Sequence, residues 1–325
     1  MLRLPRSRFA RCTGALAVMA MAAVTAAPEA PAQGSFQTLD PFYGGESASP
    51  TFYDGLAVSG EVAYRDRDLL GLASAGAPAT DLAIAARLDY AILPQVDVSA
   101  VADLSGAARS GPLGLSWLVV KPYWRNENTD YAVRVAVDPA SEGGLGFRQT
   151  DVAFLSSSVL SPDVTSDFAV GFRRVRTGYV EPDAAADALR GLSAGSADAP
   201  VPFSSRAAAS GDRVRLLGQE VRATWGYNVL FDPAGSRILG AFVAEAGDYA
   251  LVRSSDAEAS ADDSDERIRS GIGWARLGVE FNRPSYVLAP YVSLPVVTWA
   301  DVRGEPVRHG PRPDKARFGV RVMIR

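Results

Sequence analysis

The chain has 325 residues, 47% of them hydrophobic, with 33 basic against 37 acidic side chains, one histidine and one cysteine. A net charge of −4 gives no basic footprint for nucleic acid. With Cys12 alone there is no disulfide framework and no Cys/His metal spacing, and no P-loop-type glycine loop is present, so no cofactor and no metal is expected.

Arg3, Arg6, Arg8 and Arg11 precede an uncharged apolar run, Ala15 to Ala27, and Ala30-Pro31-Ala32 supplies small residues of the kind a signal peptidase reads. This predicts a secretory signal peptide over 1–32, because the apolar run is shorter than the roughly 20 residues a membrane helix needs. Cys12 lies inside it and lacks the residues that precede a lipidated cysteine, so the mature chain is expected to carry no thiol. Removing Arg3, Arg6, Arg8, Arg11 and Glu29 with the leader leaves 29 basic and 36 acidic side chains, a charge of −7. No later stretch approaches about 18 uncharged apolar residues. Export then ends in the periplasm, the medium or an outer-membrane barrel.

Residues 33–54 are rich in Gly, Ser, Pro and aromatics without periodicity. They are expected to form a short periplasmic arm, with insertion into a barrel lumen or a disordered leader as the alternatives. The remainder, 55–325, is expected to be one domain.

Within it the hydrophobic period is two, the repeat of a strand with one apolar and one polar face. Leu56, Val58, Val62 and Tyr64 alternate with Ala57, Ser59, Glu61 and Arg65. A hairpin follows: Leu82, Ile84, Leu88, Tyr90 and Ile92 oppose Arg87 and Asp89, and after Leu93-Pro94-Gln95 the residues Val96, Val98 and Ala100 oppose Asp97, Ser99 and Asp103. A fourth strand runs from about Leu113 to Trp124, its faces blurred by Trp117 to Val120. The fifth sets Tyr131, Val133 and Val135 against Asp130, Ala132 and Arg134; the sixth sets Val152 and Phe154 against Asp151; the seventh sets Phe168, Val170 and Phe172 against Arg173. After a long interruption the eighth places Val221, Trp225, Tyr227 and Val229 opposite Glu220, Arg222, Thr224 and Asn228. The ninth spans about Ile238 to Val252. In the tenth, about Arg267 to Phe281, the parities exchange near Gly273, where a β-bulge would reset the register. The eleventh, about Tyr286 to Trp299, is weakened by Pro290 and Pro295. The last sets Phe318, Val320, Val322 and Ile324 against Arg317 and Arg321. The sum is about twelve strands, an even number.

Connections after the even-numbered strands are short and those after the odd-numbered strands mostly long, which puts both ends of the domain on the short side. That sorting, and the need to satisfy every backbone group in hydrocarbon, predict an all-β fold: a single closed antiparallel transmembrane β-barrel with short periplasmic turns and longer extracellular loops. Tyr64, Trp124, Tyr179, Tyr227, Phe281, Tyr286 and Trp299 lie near strand ends and suit interfacial girdles. A soluble all-β protein is the competing fold.

The leader, the alternating segments and the sorted loops together resemble Gram-negative outer-membrane β-barrel proteins. Four segments, GLSWLVVKPYW (Gly114 to Trp124), VRVAVDPA, DFAVGFRR (Asp167 to Arg174) and PYVSLPVV (Pro290 to Val297), resemble the transporter family associated with the meta-pathway of phenol degradation. The resemblance implies an outer-membrane location, contact with outer-membrane lipids and lipopolysaccharide, insertion by the barrel-assembly machinery and transport of a solute. The Val322-Met323-Ile324-Arg325 terminus departs from the aromatic ending that such machinery often reads.

With the apolar parity facing lipid, the lumen receives Glu61, Arg65, Arg87, Asp89, Asp97, Asp103, Asp130, Arg134, Arg173, Glu220, Arg222, Arg317 and Arg321. Basic residues on the lipid face would cost roughly 2–4 kcal/mol each near midplane. Two readings follow: a channel or facilitator whose mixed charges pass a small polar or anionic solute, or a non-conducting structural or surface-interaction barrel filled by its own ion pairs. Closure is expected to bring Arg317 and Arg321 toward Glu61. An enzyme is not expected, since His309 falls in a glycine- and proline-rich loop with no serine positioned beside it. Glu181 to Gly211 suits a lid, a plug or disorder. The six carboxylates of Ser254 to Glu266 lack EF-hand spacing and read as a solvated acidic loop.

Overall fold

The computed structural model describes residues 47–48, 56–66, 80–93, 95–103, 115–137, 149–176, 214–253, 267–302 and 305–324. The predicted leader, Tyr179 and the 181–211 and 254–266 loops lie outside them. Thirteen strands follow in order: β1 (Leu56–Asp66), β2 (Thr80–Leu93), β3 (Val96–Asp103), β4 (Leu115–Asn126), β5 (Thr129–Val137), β6 (Gln149–Ser161), β7 (Val164–Arg176), β8 (Val214–Leu230), β9 (Arg237–Arg253), β10 (Arg267–Asn282), β11 (Tyr286–Val302), β12 (Glu305–His309) and β13 (Arg317–Ile324).

Consecutive strands from β1 to β11 pair antiparallel, β13 pairs with β11, and β1 pairs with β13 from Val58↔Ile324 to Tyr64↔Phe318. The ladder therefore returns on itself as a closed barrel of twelve staves. Closure removes every free edge, the condition for crossing hydrocarbon with strands. Among the described residues no helix is long and apolar enough to cross a membrane.

The twelfth stave is built from two pieces, a correction to the sequence reading of 301–313 as a loop. β12 pairs with Thr298–Val302 of β11, and β13 pairs with Tyr286–Ser293 lower on the same strand. Pro311 and Pro313 cannot donate to a ladder, so the chain leaves the sheet between them through a 3-10 turn at Pro313–Lys315 and is tied back by Arg312 N–H to the Pro295 carbonyl at 3.0 Å.

The register break expected near Gly273 is present, but its extra residue lies on the facing strand, and the prolines do not interrupt β11. The register step opposite Gly273 and Trp274 belongs to β11, where Val297 faces Gly273 and Pro295 faces Trp274, leaving Val296 as the extra residue. Pro295 thus sits at a bulge, where a missing donor is tolerated. β10 keeps one parity throughout: Ser270, Ile272, Trp274, Arg276 and Glu280 all turn inward and are buried. Ile272 and Trp274 are apolar residues on the polar side, which is why the sequence suggested an exchange there.

The molecule is inside out relative to a soluble sandwich. Val62, Leu88, Val170, Phe172, Trp225, Leu277 and Val320 are exposed on the outer surface, while Arg321 and Lys121 on the inner surface retain 1% of their accessible area. A continuous apolar exterior around a charged interior is what lipid outside and water or ion pairs inside require. Near the short turns the outer surface carries stacked aromatics: Trp124 on Tyr131 at 5.8 Å, Tyr131 near Phe154 at 6.0 Å, and Phe231 edge-on to Phe281 at 6.3 Å. These rings suit the interfacial belt.

Inside, Gly319 lies opposite Tyr291 across the β11–β13 ladder. A Cβ at Gly319 would run into the Tyr291 ring, and that ring is fixed by a hydrogen bond from its hydroxyl to Glu61 and by the Arg276 guanidinium stacked on its face at 3.9 Å. Gly319→Ala is therefore expected to destabilise the barrel by about 1–3 kcal/mol, the usual range for overpacking. Chemical denaturation in detergent micelles checks it, and an unchanged midpoint would mean the ring moves freely.

Candidate functional site

The chemistry-bearing side chains gather on the inner wall, because the strands' polar parity turns inward and the register brings opposite charges into adjacent staves. On β2 and β3, Arg87 Nε donates to Asp89 at 2.7 Å and Arg87 Nη2 donates to Ser99 at 2.9 Å, while the Ser99 hydroxyl donates to Asp89 at 2.5 Å. Asp97 is directly opposite Lys121 on β4, whose Nζ lies 3.8 Å away. Arg134 on β5 reaches diagonally to Asp151 on β6 at 2.5 Å. Arg173 and Glu220 are direct partners across β7 and β8; Arg173 donates to the carboxylate, and the Tyr249 hydroxyl donates to its other oxygen. Arg222 meets Glu245 across β8 and β9 at 2.6 Å.

At the seam, Glu61 and Arg321 are cross-strand partners. Glu61 accepts from Tyr291, and Arg321 turns to Glu280 on β10 at 3.4 Å. Arg317 is buried on the same face of β13. Of Arg65, Asp103 and His309 only the backbone is described, on β1, β3 and β12, with His309 opposite Thr298.

Arg87, Asp89, Asp97, Arg134, Arg173, Glu220, Arg317 and Arg321, all singled out from sequence, are buried on the inner wall. Lys121, Asp151, Asp167, Arg237, Glu245, Tyr249, Arg276, Glu280 and Tyr291 join them there without having been singled out. Their strand parity carries the signal for Lys121, Asp151, Glu245 and Glu280. Tyr249 and Tyr291 read as apolar from sequence and act inside as hydroxyl donors. Among the described residues no group of three or more His, Cys, Asp or Glu is placed to hold a metal ion.

The segment before β1 also reaches this wall. Ser47 Oγ lies 2.9 Å from Ser157 Oγ, the Ala48 backbone N–H donates to Ser157 Oγ at 2.8 Å, and Ser157 donates to Asp167 at 2.5 Å. Ala48 is fully buried against Tyr123, Ala132, Ala153 and Leu155. Of the arm at 33–54, then, the two described residues sit inside the barrel.

Next to Asp167 is a small cavity lined by Asp167, Asn228, Leu239, Arg276 and small residues including Gly226 and Gly278. The register explains it: Asp167, Gly226, Ala241 and Arg276 form one row across β7 to β10, so an acid and a base flank two positions with almost no side chain. Higher on the same side, Val243, Ile272 and Trp274 form a buried apolar cluster on the inner wall.

No protein-family model matches the chain, and no curated protein matches it in sequence. Among solved structures it is similar to the COG4313 outer membrane channel from Pseudomonas putida F1, with a TM-score of 0.47 and 13% identity over 85% of this chain and 98% of that one. It is similar to the NanC porin at a TM-score of 0.37 and 11% identity, covering 83% of this chain and 100% of that one. A FadL homologue of Pseudomonas aeruginosa gives a TM-score of 0.35 and 10% identity over 90% and 97%. At these identities nothing passes from their residues to this chain's.

Proposed function

We propose that this chain is an outer-membrane channel or facilitator that passes a small polar or anionic solute through a narrow, charged lumen, its short turns in the periplasm and its long loops outside the cell. The observation that carries the reading is the interior itself: a closed wall lined by paired guanidinium, ammonium and carboxylate groups instead of a hydrocarbon core. Where water reaches such a wall, fixed charges of both signs sort solutes by charge and size. A solute with an apolar body, which the resemblance to phenol-pathway transporters implies, is the alternative to a polar or anionic one, and the inward-facing Val243, Ile272 and Trp274 favour it. Solute and lipid partners are part of the same proposal.

The test is reconstitution of the mature protein into planar bilayers and liposomes. Small discrete conductance steps or solute-dependent swelling are expected, and a folded barrel giving neither overturns the channel.

The non-conducting barrel is the second reading. It is favoured by the depth at which the charges are buried and by Ser47 and Ala48 docked on the wall. Deleting 33–48 behind an intact leader separates the two: current that appears only after deletion identifies an internal stopper in a pore, and silence in both forms identifies a structural barrel.

A further inference from the structure

Two polar groups on neighbouring staves of the inner wall are enclosed without a hydrogen-bond partner. They are the Trp274 indole N–H on β10 and the Thr298 hydroxyl on β11, in residues that keep 4% and 0% of their accessible area. Trp274 is flanked across the ladders by Val243 on β9 and Pro295 on β11, neither of which has a side-chain acceptor. Thr298 stands between Ile272 on β10 and His309 on β12, and the two ladders engage the backbone on either side of it. Ile272 faces Thr298 directly and precedes Trp274 by one inward position, so the indole, the isoleucine and the threonine share one inward patch with Val243. Elsewhere on the wall the hydroxyls of Tyr249 and Tyr291 each reach a glutamate.

The rest of the patch is apolar. Val243, Ile272 and Trp274 pack together, and Pro295 is buried beside them. The charged residue across from Ile272 on β9, Glu245, is held by Arg222 at 2.6 Å. A buried polar group with no partner costs stability that an apolar side chain of the same shape would avoid. Apolar surface with a few convergent polar groups is the composition of a solute-binding site. The indole N–H only donates, and a hydroxyl whose hydrogen has no acceptor donates as well, so both call for an oxygen that accepts. A carbonyl oxygen has two lone pairs and brings no hydrogen that must be satisfied in turn. A carboxylate would lose its hydration against apolar side chains, close to Glu245.

We propose that Trp274 Nε1 and Thr298 Oγ1, beside the Val243 and Ile272 side chains, form a subsite on the inner wall for a small uncharged carbonyl compound, a ketone or an ester with a compact apolar body. Both groups donate to the carbonyl oxygen, and Val243, Ile272 and Pro295 cover the body. A site built to hydrogen-bond one oxygen discriminates strongly against a solute that lacks it. This rests on the channel reading with an apolar-bodied solute, and gives that reading a solute class and a place.

Calorimetric titration of the full-length mature protein in detergent with cyclohexanone reads the subsite without any current, and single-channel recording of the same protein reads the pore. Saturable binding is expected above the linear heat of partition into micelles, about tenfold weaker in Thr298→Val, the loss that one hydrogen bond accounts for. Trp274→Phe, which removes the N–H and part of the ring, is expected to weaken it at least as much; unchanged binding there removes Trp274 from the site. Folding of each variant is checked by its heat-dependent migration in gels. Valine has the shape of threonine, so the empty Thr298→Val barrel is expected to keep or raise its midpoint in chemical denaturation. A lowered midpoint would mean that the hydroxyl is partnered within the protein, and overturns the site. No saturable heat, or equal binding to wild type and Thr298→Val, overturns it too, while a conducting wild type keeps the channel. Cyclohexanol binding more tightly than cyclohexanone overturns the carbonyl assignment. If cyclohexanone binds, weakens in Thr298→Val and no current flows, the subsite stands and the channel falls.

Discussion

Glu220→Gln is expected to destabilise the folded barrel by about 3–5 kcal/mol, because it leaves the Arg173 guanidinium buried without its carboxylate. Arg173 and Glu220 retain 4% and 7% of their accessible area, and the Tyr249 hydroxyl completes the carboxylate's shell. The Tyr249 ring has its place because Gly218 beneath it has no side chain, a Cβ there falling inside the ring's contact distance. The loss is thus that of a desolvated unit and not of a surface pair, which would be worth only about 0–1 kcal/mol. Replacing the whole unit, Arg173→Met with Glu220→Leu and Tyr249→Phe, is expected to recover most of the stability, since apolar residues of similar volume often match or exceed a buried ion pair. Equilibrium unfolding in guanidinium chloride, followed by tryptophan fluorescence in liposomes, measures both. A Glu220→Gln variant within about 1 kcal/mol of wild type would mean that water reaches the pair, and would point to a wetter, wider lumen. The same number therefore bears on stability and on how open the interior is.

The alternation that identified the strands works because lipid and lumen impose opposite polarity on successive residues, so β1, β2, β5 and β8 could be read directly from parity. It fails where the interior is itself apolar. Ile272 and Trp274 face inward beside Val243, so polarity located the register break at Gly273 but assigned to β10 the extra residue that is Val296 on β11. It also fails for β12, whose five residues contain Pro306 and are too few to show a period. Which charges pair was only partly legible. Arg87 and Asp89 are close in sequence, and closure suggested Arg321 with Glu61. Closure does set Arg321 opposite Glu61; what the sequence did not show is that Arg321 also reaches Glu280 and that Glu61 accepts from Tyr291. Arg237 escaped notice because it opens a strand directly after the Asp232 to Ser236 turn, where a basic residue ordinarily reads as solvated. Its burial follows from β9 closing against β8 and β10, a long-range fact that no local pattern encodes.

Val170→Arg is expected to cost about 2–4 kcal/mol, and the same charge placed at Leu93 about 0–1 kcal/mol, because the penalty for a basic residue on the lipid face depends on depth. Val170 lies midway along β7, outward and 41% exposed, paired with Phe154 and Ala223 on its neighbours. Leu93 ends β2 beside a short turn and is 40% exposed. Nearly equal exposure at the two sites removes burial in protein as the explanation, so a difference in cost reports the surrounding solvent. In lipid bilayers the arginine at Leu93 extends to the headgroup region, whereas the one at Val170 must drag water into hydrocarbon or snorkel across half the leaflet. Folding free energies from denaturant titration in liposomes of fixed composition give both values. Equal, small costs at the two positions would mean that the apolar exterior meets protein or water instead of lipid. The inward assignment of Arg87, Arg134 and Arg173 would then lose its physical basis, since the cost of exposing them to hydrocarbon is what keeps them inside.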